Sequence, residues 1–130
     1  MSSFLARYNT DQSLEEHGVW VDFGDGIEVK VTRTNTKEAQ KYKAQLEKPY
    51  RKLSQIPDDV QDGIYEKMIA HKIIKDWKGI TDEEGKEVPY SPDAALKILQ
   101  TFRDFRDDII LAASERETFR KIEAEEQAKN

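Results

Sequence analysis

Few residues in this chain are suited to chemistry. Its 130 residues include no cysteine and only two histidines. That excludes thiolate nucleophiles, thiolate zinc sites and disulfide scaffolds, and it suits a reducing cytoplasm. His17 and His71 stand alone, without partners at ligand spacing. Asp82, Glu83, Glu84 and Glu87 form an acidic run with oxygen ligands to offer calcium. The run lacks the alternating ligands and terminal Glu of an EF-hand loop, and it reads as a solvated turn. Asp104, Asp107 and Asp108 beside Arg103 and Arg106 could serve acid and base work if burial separated their pKa values. Arginines nearby in sequence and the positive end of a helix dipole account for them more simply as an ion-paired first turn.

Asp22-Phe23-Gly24 spells the triplet with which protein kinases hold magnesium. The Gly-rich loop, strand lysine and catalytic loop that must accompany it are missing, so the triplet reads as the approach to an Asp-Gly turn. We therefore expect a noncatalytic protein with no cofactor and no metal site.

Charge is more informative. The chain has 26 acidic and 21 basic residues, a net charge of -5, at 37% hydrophobic content. That apolar share is enough for a domain of this length to bury a core. Between Lys30 and Lys52 lie eight basic and two acidic residues, a balance of +6; from Asp82 to Asn130 lie thirteen acidic and eight basic, a balance of -5. The basic stretch, read as a helix interleaved with Tyr42 and Tyr50, could bind nucleic acid phosphate. Equally, opposite patches on one small protein allow head-to-tail self-association or capture of a charged partner. With a negative total and no nucleic-acid motif, protein partners are the stronger expectation. No apolar run approaches the length of a membrane span, and the start of the chain lacks a basic region followed by an apolar one. Neither a membrane nor a secretory route is expected.

Residues 1–17 show scattered apolar anchors without a period and read as a flexible arm. From 19 to 33, Val19, Val21 and Phe23 alternate with polar residues, as do Ile27, Val29 and Val31 beyond Asp25-Gly26, which is a hairpin signal. Helices are expected over about 36–53, broken near Lys48 by Pro49, and over about 57–78, with an apolar stripe that rotates round the helix. Gly79 ends the second, and a loop or short ribbon turns at Glu84-Gly85. Ser91-Pro92 opens a third over about 92–100, and a last runs over about 102–122. On that last helix Phe102, Phe105, Ile109, Ala112, Ala113 and Phe119 share an arc of about 120°. Arg116 falls inside this arc, either as a packed stem with a solvated head or as an interface residue together with Phe119. Residues 121–130 read as a frayed tail. The expected architecture is a single domain over 18–120, α+β and mainly helical, with an N-terminal β-hairpin followed by three or four helices. Lys37, Lys41, Tyr42, Arg116 and Phe119 are the candidate partner-binding residues.

The order of these pieces resembles a known family. Gly18-Val-Trp-Val-Asp-Phe-Gly-Asp-Gly26 is followed by Leu46-Glu-Lys-Pro-Tyr50, Asp76-Trp-Lys-Gly79, Asp82-Glu-Glu-Gly-Lys86, Val88-Pro-Tyr-Ser-Pro92 and a closing Phe102 to Phe119 helix. Over most of residues 18–120 the chain is similar to the tail assembly chaperones of long-tailed bacteriophages and prophages. That resemblance implies a noncatalytic factor in the bacterial host cytoplasm that is absent from the mature virion. It would bind the tape measure protein, assist tail tube protein to polymerise around it, and possess a homo-oligomeric form. In such phages a longer product arises by programmed frameshifting, and Ala128-Lys129-Asn130 is compatible with a slippery A-AAA-AAY heptamer. The alternatives are a minor structural tail or connector protein of the virion and a small nucleic-acid-binding regulator using residues 30–52.

Overall fold

Asp25 and Gly26 both adopt positive φ, 55° and 80°, which gives the tight turn that a right-twisted antiparallel pair requires. Around it β1 (Val19–Gly24) pairs with β2 (Ile27–Val31), with Val19 opposite Val31 and Val21 opposite Val29. The alternation therefore directs one apolar face inward. The computed structural model describes residues 3–120, and within them the hairpin is neither N-terminal nor alone. Two short helices precede it, α1 (Ser3–Tyr8) and α2 (Gln12–His17), and a third strand lies across β2 in the order β1-β2-β3. This overturns the expectation of an N-terminal hairpin followed only by helices. At six residues each, α1 and α2 are too short to display a helical period. The signal that marked α2 is its cap: the Asp11 carboxylate accepts from the amides of Ser13 and Leu14.

The third strand comes from the stretch expected to be helical to residue 78. Helix α4 (Asp58–Met68) widens into a π-helical turn over Ile69–Ile73, and the chain then straightens into β3 (Ile74–Lys78), antiparallel to β2 with Val29 opposite Trp77. The rotating apolar stripe is the trace of this change of period. Ile73 and Ile74 are consecutive and both fully buried, which suits a helix giving way to a strand. Carbonyls released at the switch are satisfied from two sides. The Thr32 amide donates to Ile73 O at 2.9 Å and its hydroxyl to Lys72 O at 2.8 Å. The Tyr90 hydroxyl donates to Ile74 O at 2.8 Å and lies 3.2 Å from Ala70 O.

The other helices are α3 (Lys37–Glu47), α5 (Pro92–Thr101) and α6 (Arg103–Ser114), with 3₁₀ turns at Lys48–Tyr50 and Arg116–Phe119. Thr36 caps α3 and Ser91 caps α5, each accepting a backbone amide through its hydroxyl. Pro49 falls inside the 3₁₀ turn where α3 stops, and residues 51–57 continue without a helix. The core lies between the inner sheet face and the helices. Val29, Val31 and Ile74 meet Ile69, Ile73, Leu99, Ile109 and Phe119, all 0% exposed. Glu66, 7% exposed, is paired with Arg106 of α6 at 3.4 Å, which compensates the one charge buried on α4. The last helix, expected over 102–122, stops at Ser114 because Glu115 turns extended, and residues 116–119 form the separate 3₁₀ turn; the expected tail at 121–130 lies outside the described residues.

Candidate functional site

Beyond Gly79 the chain forms a small ribbon. Val88 N donates to Ile80 O at 2.7 Å, Asp82 N donates to Lys86 O at 2.8 Å, and Thr81 bridges Glu87. The Asp82 carboxylate accepts the amides of Glu84 and Lys86, so this acidic residue organises the turn. Trp77 fastens the ribbon to the sheet: its indole donates to Val88 O at 2.7 Å and its ring meets Tyr90 edge-on at 5.3 Å.

The ribbon stands away from α5 and leaves an open apolar groove of about 950 Å³. Ile27, Ile80 and Val88 line one side, and Ala94, Ile98, Phe102 and Phe105 line the other. Phe102 is 58% exposed, which is unusual for an aromatic beside a core. Asp82, Glu83, Asp93 and Asp104 border the groove, with Lys97 the single cation among its lining residues. None of these four carboxylates has an ion-pair partner among the described residues. An apolar trough bordered by unpaired negative charge fits an amphipathic helix flanked by Lys or Arg.

The residues singled out from sequence lie elsewhere. Lys37 and Lys41 are exposed on α3. Both carboxylates of the basic stretch are engaged, Glu47 with Lys43 at 3.3 Å and Glu38 with Lys72 at 3.1 Å, leaving Lys37, Lys41, Lys48, Arg51 and Lys52 as a cationic face. The Lys72 hydrogen bond, with the Lys75 charge second, holds the Glu38 carboxyl below its ordinary range. Tyr42 is half-buried, its ring 5.7 Å from that of His71 and 5.4 Å from Lys72 Nζ. Arg116 lies over the Tyr8 ring at 4.9 Å. Phe119 is 0% exposed, a core anchor with Arg33 over its ring at 5.9 Å, and presents no surface. The other candidates act within the fold. Asp22 accepts the Gly24 amide, His17 Nδ1 contacts Ser13 O, and Arg106 reaches both Asp107 and Glu66. Sequence reasoning missed the groove because its walls come from two segments. Two traces were visible: Ile80 and Val88 flanking Glu84-Gly85, and Ala94, Ile98 and Phe102 at helical spacing.

The Tyr90 hydrogen bonds at the helix-to-strand switch are expected to depend on pH. Burial first, and the Asp76 carboxylate second, push the Tyr90 phenol above its usual range. The folded pKa exceeds the unfolded one, so the contribution is complete below the unfolded value of about 10 and is lost as pH rises through the folded value. Wild type should therefore lose more Tm between about pH 8 and pH 11 than Tyr90→Phe does, although the variant starts lower by roughly 1 kcal/mol for its missing hydrogen bond. Thermal melts at the two pH values check this, and equal losses would contradict it.

No helix among the described residues is long and apolar enough to cross a membrane. No curated protein and no solved structure matches the chain. A family model does match, over residues 24–130, and it makes this a phage-related protein. The chain belongs to the YdaY prophage protein family. The matched region contains every residue of the groove.

Proposed function

We propose that the chain is a noncatalytic tail assembly chaperone that holds amphipathic helical segments of a tape measure protein in the groove between α5 and the 80–88 ribbon. The observation that carries this is the open apolar trough, with Ile80, Ile98 and Phe102 presented to solvent behind unpaired Asp82, Glu83, Asp93 and Asp104. Membership of a prophage protein family and the resemblance in motif order support it. A long helical protein exposes apolar stripes before the tail tube encloses it, and such stripes aggregate unless covered.

The expected strength suits a temporary escort. Three large apolar side chains seated in the trough contribute roughly 5–9 kcal/mol. The cost of immobilising a partner is of similar size, at roughly 4–15 kcal/mol, so capture is weak for each site and reversible. Tail tube subunits that bury the same stripe more completely then displace the chaperone.

Co-expression with the tape measure protein of the same prophage tests the proposal. The large protein should become soluble when this chain is present and stay insoluble when it is absent, and purified virions should lack this chain by mass spectrometry. Solubility indifferent to this chain, or its retention in virions, would overturn the reading. So would DNA or RNA affinity that survives physiological salt and falls on Lys37→Glu, Lys41→Glu and Lys43→Glu.

A further inference from the structure

A second apolar surface lies at α1. Phe4 and Tyr8, one helical turn apart with rings 5.0 Å from each other, are 68% and 50% exposed, and α1 buries no residue. A helix of six residues has little stability of its own. This one is held by its end. The Arg120 guanidinium donates to Ala6 O at 2.7 Å and Arg7 O at 2.6 Å, meeting carbonyls that the last turn leaves free. Arg116 stacks over Tyr8, and the Asp11 amide donates to Phe119 O at 2.8 Å. The result is a fixed apolar knob.

Its surroundings are cationic. Arg7 and Arg116 are exposed and without ion-pair partners among the described residues, and Lys37 lies across a shallow depression from Tyr8. Arg120 is already paired with Glu117 at 3.0 Å, though at an angle too poor for a hydrogen bond. The carboxylates beside Tyr8 in the depression are Glu15, taken by Arg33, and exposed Glu16. The knob thus reverses the groove in charge as well as in shape: among the described residues, apolar side chains beside cations without ion-pair partners face an apolar trough bordered by carboxylates without ion-pair partners.

We infer that α1 of one copy seats in the groove of a second copy, with Phe4 and Tyr8 against Ile98 and Phe102, and Arg7 and Arg116 towards Asp93 and Asp104. The inference rests on the groove being a helix-binding site, as proposed above. Among the described residues, the Arg116 and Arg120 contacts that hold Tyr8, Ala6 and Arg7 involve none of the groove-lining residues, and the proposed pairing runs between copies. Such a contact is heterologous: a pair of copies retains one free knob and one free groove, and growth continues until a ring closes. It also covers the groove while no client is present. Tape measure helices then bind by displacing α1, and the assembly dissociates as clients load.

Light scattering on mixtures of variants tests this. Wild type should grow beyond two chains as concentration rises. The knob variant Phe4→Glu/Tyr8→Glu and the groove variant Asp93→Lys/Asp104→Lys should each stay at 15.1 kDa, the mass of one chain. Mixed together, they should form a two-chain particle and nothing larger, because one supplies the only intact groove and the other the only intact knob. The substituted side chains are all exposed, and circular dichroism verifies folding. Wild type at one-chain mass throughout, or a mixture that does not pair, would overturn the inference.

A second measurement uses the absence of native cysteine. Mixed under oxidising conditions, Phe4→Cys and Phe102→Cys chains should form a disulfide-linked pair several times faster than either alone. Equal rates would overturn the inference. The knob variant retains its groove and should still solubilise the tape measure protein. Loss of self-association with client capture intact therefore separates this inference from the proposed function.

Discussion

Gly79→Ala is expected to cost the domain at least about 3 kcal/mol, a large share of the roughly 5–15 kcal/mol that holds a domain folded. Two effects add. Gly79 has φ of 78°, a left-handed conformation that charges an alanine roughly 1–2 kcal/mol. The larger effect is steric. A Cβ at Gly79 would overlap Gly26 O, reach 2.7 Å from Gly26 C and lie 3.2 Å from the Ile27 Cα. All three are backbone atoms of the hairpin turn and β2, and none can swing aside as a side chain would. The end of β3 would have to separate from the turn, and Ile27 and Ile80 would move with it, so the groove should open as stability falls. Urea unfolding checks the first consequence and client capture the second. A variant of wild-type stability would show that the close approach of residues 26 and 79 is not maintained in solution.

Trp77→Ala is expected to cost about 3–5 kcal/mol, the range for emptying an aromatic site in a core. Trp77 is 5% exposed, and its loss removes the edge-on contact with Tyr90 and the indole donor to Val88 O. Trp77→Phe keeps much of the volume but strands the carbonyl and should cost about 1–3 kcal/mol. The order wild type, Phe, Ala should appear in the urea midpoints. The ribbon should also exchange its amide protons faster in both variants, the Val88 amide foremost, because Trp77 fixes the ribbon to the sheet. Slow exchange at Val88 in Trp77→Ala would mean that the ribbon is held independently of Trp77.

These two residues also show what sequence could reveal. Alternation around Asp25-Gly26 marked the hairpin, and Ser91-Pro92 marked the start of α5, because each signal is local and each needs only one element to be understood. The third strand was hidden because Ile64, Met68, Ile69 and Ile73 continue a helical stripe, and the switch at Ile74 is imposed by the unpaired edge of β2, some forty residues earlier in the chain. Propensity yielded there to tertiary pairing. The short helices α1 and α2 look like an arm in sequence because six residues give fewer than two turns. The candidate site was legible only in fragments. Its apolar residues look like ordinary core positions in sequence, and their exposure arises from the ribbon standing clear of α5. The charge asymmetry was visible in outline, but its use was not. The acidic part borders the trough, whereas the basic residues divide between α3 and the surroundings of α1.

The central claim is that this trough covers helical client surface. Co-expression of the tape measure protein with Ile98→Glu, a half-buried α5 residue turned towards the groove, tests it most directly. A carboxylate placed among Ile80, Phe102 and Phe105 would have to be desolvated to admit an apolar stripe. The expected result is a chain that remains folded by circular dichroism but leaves the tape measure protein in the insoluble fraction, while Lys41→Glu on α3, which does not line the groove, keeps it soluble. Undiminished solubilisation by a folded Ile98→Glu chain would contradict the account.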